Sequence, residues 1–432
     1  MSMVVKNNMS AISTLNTLNK NSSALASSLK KVSSGMKINS AADDASGYAI
    51  SERMRVQIRG LDQANQNTQN GTSMMKVAEG AVSSTVDILK TLKEKVINAA
   101  NDTNTDADRA TIQKELDQSI DQINDNANVT YNGKYLVDGS HNSKVTATTT
   151  ALTNESLGSD TKSDTAFSAM TDRNGNSLNI QKSDTITMSV VKEGKTTTYS
   201  VKGDKALKDL IACAGTDKIS GTIDTGSTIG SDVAGDTVST ADGGNAVTIH
   251  AGSTGVTGQI SGLTFSVTNT KGQVQKSANA VLDNFTESIR AQNKSNDNAI
   301  NLQVGTKANQ SIRVGLTDMR AEALGLQSSN GTTLNIGTQQ YANAAINVLD
   351  NAVQKALDQQ TTIGSVQSRL SYTASNLTTA SENVQASEST IRDADMAKEM
   401  TEYTKNNVLL QAAQSMLAQA NQSSSSVLSL LQ

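Results

Sequence analysis

Proline is absent from all 432 residues, where average usage would supply about twenty. Proline breaks helix interiors and fixes kinks, so its absence suits very long uninterrupted helices. It also removes the slow X-Pro isomerisation step from refolding. Tryptophan is missing too, aromatics make up 2 % and hydrophobic residues 36 % of the chain. That is poor material for one large globular core. Cys213 is the single cysteine, which excludes an intramolecular disulfide framework. Two histidines, His141 and His250, leave little for a histidine-based metal site or catalytic triad. The net charge of −4 gives no electrostatic case for nucleic-acid binding. There is no apolar run of about 18 residues, so no membrane-spanning helix is expected. The opening stretch Met1-Ser2-Met3-Val4-Val5-Lys6-Asn7-Asn8 has no apolar segment, and a cleaved secretory signal is not expected.

What is present falls into three zones. Residues 1–140 and about 277–432 are rich in Ala, Asn, Gln and Leu; residues about 141–276 are rich in Ser, Thr, Gly and Asp. The first zone carries a seam with 3-4 spacing: Ile50, Met54, Gln57, Leu61, Ala64, Thr68, Gly71, Met75, Ala78, Val82, Thr85, Leu89, Leu92, Val96 and Ala99. The last zone carries a counterpart: Ala342, Ala345, Leu349, Ala352, Ala356, Gln359, Ile363, Val366, Leu370, Thr373, Leu377, Ala380, Val384, Ser387 and Ile391. Each spans about seven heptads of the kind that buries one stripe against a partner helix, about 75 Å at 1.5 Å per residue. Equal seams at opposite ends of the chain predict two long antiparallel helices. After Ile391 the heptad phase shifts across Arg392-Asp393-Ala394-Asp395, which marks a change of partner. The next stripe is Met396, Tyr403, Leu410, Ala413, Leu417, Ala420, Val427 and Leu431. Its N-terminal counterpart is Ile12, Leu15, Leu18, Leu25, Leu29, Val32 and Met36, interrupted at Gly35 and Asn39–Asp44. Ser40 or Asp43 is the expected cap of the following helix.

A shorter helix is predicted over about 106–126, with Thr105 as cap and Ile112, Leu116, Ile120 and Ile123 as its stripe. Asn132-Gly133 signals a hairpin, and residues 302–316 suggest a second. The middle zone reads as β: a hairpin over 185–201 around Glu193-Gly194, a short helix over Leu207–Ala214, then strands at 247–250 and 263–267. The run 220–246 reads as turn-rich and mobile. The expected class is mainly α with β: long antiparallel coiled-coil-like helices from both chain ends plus a β-rich middle domain. The expected domains are a terminal helical domain (1–42 and 396–432), a helical rod domain with β-hairpins (43–140 and 277–395), and a β-rich, surface-exposed variable domain (141–276).

Catalytic signatures are missing. The sequence contains no GxxxxGK[ST], HExxH, GxSxG or CxxC. The acids Asp43-Asp44 and Asp393/Asp395 have no companion base or ligand and are read as helix-end groups. The Gly/Asp run at 220–246 lacks calcium-loop spacing. No catalytic residue, cofactor or metal site is expected, and the chain is not read as an enzyme. The apolar stripes exceed what one helix pair can cover, so they call for other copies of the chain. A head-to-tail interface that does not close gives a helical filament.

The two ends resemble the bacterial flagellin family. The residues that carry this are Ala41-Ala42-Asp43-Asp44-Ala45-Ser46-Gly47-Tyr48-Ala49-Ile50-Ser51-Glu52-Arg53-Met54, Gln57-Ile58-Arg59-Gly60-Leu61, Ala78-Glu79-Gly80-Ala81 and Leu18 through Leu29 with Ser33-Ser34-Gly35. At the other end they are Leu302-Gln303-Val304-Gly305, Asn309-Gln310-Ser311-Ile312, Glu388 through Ala397 and Gln414 through Gln422. The resemblance covers roughly 1–140 and 290–432 and leaves the middle zone out. It implies a structural subunit that polymerises into the flagellar filament for motility. It also implies export in unfolded form through the flagellar type III apparatus and an extracellular location. The terminal helices would form an inner tube, with Ile12, Leu15, Leu18, Leu25, Leu29, Val32, Leu410, Leu417, Val427 and Leu431 as its polymerisation residues. Implied partners are other copies of the chain, an export chaperone (at Leu410, Leu417, Val427 and Leu430), the filament cap, hook–filament junction proteins and a flagellin-sensing toll-like receptor. The receptor pattern Arg-x-Arg-Glu-Leu-x-Val-Gln aligns with Thr91-Leu92-Lys93-Glu94-Lys95-Val96-Ile97-Asn98. Lys93, Glu94 and Glu115 are its candidates, but Thr91 and Lys95 depart from the pattern. A junction protein sharing the end helices, and an adhesin built on its middle zone, are the alternatives. The family often has a proline just after Ala-Asn-Gln near the C-terminus; here Ser423–Ser426 follow Gln422.

Overall fold

The computed structural model describes the backbone of residues 8–213 and 223–430, and side chains of residues 8–212 and 223–423. In chain order the elements are α1 (Met9–Ser34), α2 (Ala45–Ala99), α3 (Asp106–Ala127), β1 (Thr130–Tyr131), β2 (Lys134–Tyr135), β3 (Ala151–Asn154), β4 (Thr185–Lys192), β5 (Lys195–Lys202) and α4 (Leu207–Cys213). There follow β6 (Ile223–Asp224), β7 (Thr228–Ser231), β8 (Thr237–Ser239), β9 (Val247–His250), β10 (Ile260–Thr268), α5 (Lys276–Leu282), β11 (Thr286–Ile289), β12 (Ile300–Gln303), β13 (Ser311–Val314), α6 (Gln339–Arg392) and α7 (Met396–Leu430). The class is the predicted one, mainly α with a β-rich middle. Two compact units separate by contact: residues 1–68, 303–310 and 372–432 form the first, and residues 69–302 and 311–371 the second. The breaks between α1 and α2 and between α6 and α7 both fall inside the first.

In the first unit α1 and α7 pack antiparallel. The Nδ2 of Asn8 donates to the Ala420 carbonyl at 3.1 Å and that of Asn21 to the Leu409 carbonyl at 3.2 Å. Asn406 Nδ2 donates to Ser28 Oγ at 3.1 Å, and Lys31 lies 3.7 Å from Glu399. The stretches of α2 and α6 in this unit also run antiparallel, with Leu61, Ala64 and Leu377 buried together. Asn65 Nδ2 donates to Thr378 Oγ1 at 3.3 Å, and Ser381 Oγ to Asp62 Oδ1 at 3.1 Å.

In the second unit the predicted seams are the buried rows. On α2, Gly71, Met75, Ala78, Val82, Thr85, Leu89, Leu92, Val96 and Ala99 are all buried; on α6, Ala342, Ala345, Leu349, Ala352, Ala356, Gln359, Ile363 and Leu370 are. Small members leave room for side chains packed on the helix. Gly71 is one: a Cβ there would sit 2.8 Å from Leu302 Cδ1. The helix α3 begins on a capping box in which Thr105 Oγ1 and the Asp108 carboxylate each accept the other's backbone N–H. Buried Arg109 closes the end of α2, with Nε donating to the Ala99 carbonyl at 2.9 Å and Nη2 to that of Asn101 at 3.1 Å. The β1–β2 turn puts Asn132 at φ 49° and Gly133 at φ 75°, the primed turn that Asn-Gly favours.

Three-stranded (β10-β4-β5) and four-stranded (β11-β3-β9-β6) sheets fill the middle. Phe167, Ile186, Val190, Leu210, Ile249 and Val267 lie in their common core. The β4–β5 hairpin and β9 fall where they were predicted, and β10 extends past the predicted 263–267 at both ends. One expectation is extended and one corrected. Within 220–246, residues 223–246 are turn-rich as read, and between the turns β7 and β8 form a hairpin whose Ile229 is 3 % exposed against Ala151 and Ile289. The helix after Gly35 is capped by neither Ser40 nor Asp43. Asp44 Oδ1 accepts from the N–H groups of Ser46 and Gly47, both at 3.0 Å. Asp43 instead closes the preceding turn by accepting from the N–H groups of Asn39 and Ser40, and the Ser40 hydroxyl bond above all holds its carboxyl below the usual value. Ala214, the last residue of the predicted short helix, lies outside the described residues.

Candidate assembly surface

The terminal helices show two rows of residues rather than one. Along α1, Ala11, Thr14, Leu18, Asn21, Leu25 and Val32 are half-buried and Ser28 is buried. The 3-4 spacing of this row marks it as the seam against α7. Across from it, Tyr403, Asn406, Leu410, Leu417 and Ala420 are half-buried and Ala413 is 6 % exposed. The seam is narrow and partly polar, so the asparagine and serine hydrogen bonds fix its register as much as apolar contact does.

A second apolar set on the same two helices is left open. Ile12 is 47 % exposed, Leu15 45 % and Leu29 51 %, beside Met9 on α1; on α7 the set is Met396, Met400, Val408, Leu409 and Met416. Met400, Thr401, Thr404, Lys405, Val408 and Leu409 line a shallow open groove. The residues singled out from sequence therefore divide. Leu18, Leu25, Val32, Leu410 and Leu417 lie in the seam of the pair, and Ile12, Leu15 and Leu29 lie on its open side. The α7 backbone includes Val427 and Leu430, whose side chains lie outside the described residues, as Leu431 does entirely. The helix runs on through Ser423–Ser426, where the resembling family often has proline.

Where the terminal pair meets the long helices, a short joint is stitched by backbone bonds. Gly35 ends α1 in the left-handed region at φ 69°, which favours glycine because it lacks a Cβ. The Gly35 carbonyl accepts from Ala394 N at 2.9 Å, and the Arg392 carbonyl accepts from Lys37 N at 2.7 Å. Arg392 itself is 5 % exposed. Its Nη1 donates to Glu52 Oε1 at 2.7 Å and its guanidinium lies 5.5 Å from the Tyr48 ring centroid. That hydrogen bond holds the Glu52 carboxyl below its ordinary pKa. Asp395 starts α7 by accepting from the N–H groups of Ala397 at 3.0 Å and Lys398 at 3.2 Å. One acid at each helix break, Asp44 and Asp395, is thus a helix cap, while Asp43 closes the turn before α2 and Asp393 accepts from the Ser389 hydroxyl.

In the second unit, the Lys93 ammonium is bound to the Asp350 carboxylate and Lys95 lies 3.0 Å from Glu115. Glu94 is exposed. Two of the three receptor candidates are therefore already engaged within the chain.

Among the described residues no group of three or more His, Cys, Asp or Glu side chains is placed to hold a metal ion. No described helix is long and apolar enough to cross a membrane. Paired terminal helices with an uncovered apolar row, joined to long seamed helices, define a structural protein built for side-by-side helix packing. Profiles of the bacterial flagellin N-terminal and C-terminal helical regions match residues 5–142 and 346–431. The chain is 32 % identical over 423 residues to a flagellin of Clostridium tyrobutyricum, covering 97 % of this chain and 99 % of that protein. It is also 32 % identical over 449 residues to a flagellin of Bacillus subtilis (strain 168), covering 99 % and 100 %. Flagellin D of Vibrio anguillarum is 32 % identical over 436 residues, with 100 % of both chains covered. The chain belongs to the bacterial flagellin family, a family of structural filament proteins and not of enzymes.

Proposed function

We propose that this chain is the repeating subunit of a bacterial flagellar filament and that the open apolar row of its terminal helices joins it to neighbouring copies. The observation that carries this reading is the division of α1 and α7 into a covered seam and an uncovered one. Ile12, Leu15 and Leu29 on α1, and Met400, Val408, Leu409 and Met416 on α7, remain exposed after the two helices have paired. Burying a side chain of this size stabilises by about 1.5–3 kcal/mol, so several together supply a large driving force for assembly. In this reading residues 1–42 and 396–432 form the inner tube, 43–140 and 277–395 the outer tube, and 141–276 the face turned to the medium. Leu18, Leu25, Val32, Leu410 and Leu417 then act indirectly, by holding the pair that presents the row; Val427 and Leu431 are proposed with them from the spacing of the sequence alone. Export unfolded through the flagellar type III apparatus is part of the proposal, supported by a chain without proline. An export chaperone would take α7 by Leu410, Leu417, Val427 and Leu430 before it pairs with α1. The filament cap and junction proteins would meet the same terminal helices. For a toll-like receptor, Lys93, Glu94 and Glu115 are the contacts proposed, with Glu94 free of the ion pairs that hold the other two.

The test is seeded polymerisation at neutral pH. Leu29→Glu and Met416→Glu should each suppress elongation while leaving the helical circular-dichroism signal of the monomer unchanged. Wild-type elongation by both variants would overturn the assignment of the open row. A parent chain that never elongates on seeds would instead favour a junction protein.

A further inference from the structure

The outer edge of β10 is covered by side chains where a neighbouring strand would stand. This nine-residue strand is the edge of its sheet, paired on one side with β4 in the register Leu263–Val190, Phe265–Met188 and Val267–Ile186. On the other side, Asn351 Nδ2 donates to the Ser261 carbonyl and Asn347 Nδ2 to the Leu263 carbonyl, both at 3.0 Å. Farther along, Phe265 N donates to Asp283 Oδ1 at 2.8 Å, and Val267 N donates to Asn279 Oδ1 at 2.7 Å. The Val267 carbonyl accepts from Gln275 N at 2.9 Å. Two asparagines from α6 and two residues from α5 and its end thus each occupy a backbone group on one of the alternate residues Ser261, Leu263, Phe265 and Val267. Gly262 makes the approach of α6 feasible: a Cβ there would lie 2.6 Å from Val348 Cγ2 and 3.3 Å from the Ala344 carbonyl.

The sequence of this strand explains why such cover matters. Edges are usually blunted by charged side chains or proline. β10 reads Ile-Ser-Gly-Leu-Thr-Phe-Ser-Val-Thr, with no charge, and the chain has no proline at all. Strands rich in β-branched and aromatic residues, uncharged and without proline, stack on copies of themselves. At the opposite edge, β5 carries exposed Lys195 and Lys202 at its two ends, the usual device. We propose that Asn279, Asp283, Asn347 and Asn351 act as a guard that holds shut a strand-pairing surface on β10, whose occupant when unguarded is β10 of a second copy of this chain. The guard is local to this sheet and independent of the open row on the terminal helices.

The test uses the full-length monomer, without seeds. Asn279→Ala/Asp283→Ala, Asn347→Ala/Asn351→Ala and the fourfold variant are compared with the parent by light scattering, thioflavin T and residue-resolved amide exchange. Oligomers should rise about tenfold or more in the fourfold variant, because each lost partner leaves a backbone group open. In those oligomers the amides of Phe265 and Val267 should be protected while Met188 and Val190 on β4 stay protected. Asn279→Asp/Asp283→Asn, which keeps both acceptor oxygens, should remain monomeric. The proposal fails if the alanine variants stay monomeric. It fails equally if they associate only with loss of protection across β4, which would make the four residues simple structural props.

Discussion

Asp283 gives the sharpest test of the electrostatics in the middle sheet. Its carboxyl is largely buried at the end of α5, and desolvation pushes its pKa from 3.8 up to about 6, against the lowering effect of the Phe265 N–H. A carboxyl whose folded pKa is raised keeps its proton in the native state after the unfolded chain has lost it. Its contribution to stability therefore falls as pH rises between about 4 and 6, and the deficit persists above 6. The gap between 3.8 and about 6 is worth about 3 kcal/mol, a ceiling for a group that keeps some contact with water. Asp283→Asn retains an oxygen for the Phe265 N–H and removes the charge. It should gain about 1–2 kcal/mol over the parent at pH 8 and close to nothing at pH 4. With no tryptophan in the chain, urea unfolding is followed by circular dichroism, with amide exchange at Phe265 reporting on the sheet itself. Taking the difference between variant and parent cancels the other titrating groups. A variant that is less stable than the parent at pH 8 would refute the reasoning, because the charged hydrogen bond would then outweigh the desolvation of Asp283.

Gly262→Ala should destabilise the sheet by about 1–3 kcal/mol, the range for inserting a methyl group into a packed contact, read as a lower urea midpoint with unchanged helix content; an unchanged midpoint would mean that β10 can move off Val348 freely. Arg392→Met should loosen the joint through loss of the Glu52 bond, seen as faster amide exchange at Lys37 and Ala394 with no change at Phe265. Thr105→Ala should cost about 0.5–2 kcal/mol by removing the cap of α3, measured as fraying of its first turn by amide exchange, and Thr105→Ser should restore most of it.

The long helices were legible because their signal is repeated many times. A seam that recurs from Leu61 to Ala99 averages out its polar members, so Thr68 and Thr85 do not hide it; both are buried, and each hydroxyl donates to the carbonyl four residues back, at 2.7 Å to Ala64 and 3.0 Å to Ala81. Turns with a strong chemical preference, such as Asn132-Gly133, were equally plain. The terminal stripes were legible only as apolar spacing, which does not say which row meets the partner helix. Leu18 and Leu25 differ from Ile12, Leu15 and Leu29 by a fraction of a turn, and only the packing of α7 separates them. The guard on β10 left no local signal at all. Asn279 and Asp283 are near the strand in sequence, but Asn347 and Asn351 are ordinary polar residues of a long helix until the fold brings them to Leu263 and Ser261. Arg109 was missed for the same reason, since a buried arginine that closes a neighbouring helix looks from sequence like an exposed charge.

The chain must end its helices without proline, and the structure shows what takes its place. Side-chain acceptors start them: Asn8 for α1, Asp44 for α2, Thr105 for α3, Thr338 for α6 and Asp395 for α7, each bonded to an N–H of the first turn. A left-handed glycine ends α1, and Arg109 covers the carbonyls at the end of α2. Caps of this kind differ from proline in one physical respect. They fix where a helix begins only once the helix exists, whereas proline restricts the chain in the unfolded state as well. The breaks at Gly35–Asp44 and Arg392–Asp395 are therefore reversible in a way a proline break is not. The joint between them depends on Arg392, Glu52 and three backbone bonds, from Lys37 and Ile38 to the Arg392 carbonyl and from Ala394 to that of Gly35, rather than on covalent stiffness. Placing proline at Ala394 would remove the N–H that reaches the Gly35 carbonyl and untie one of those bonds. The same substitution at Ala41, whose N–H has no such role among the described bonds, should leave the joint intact.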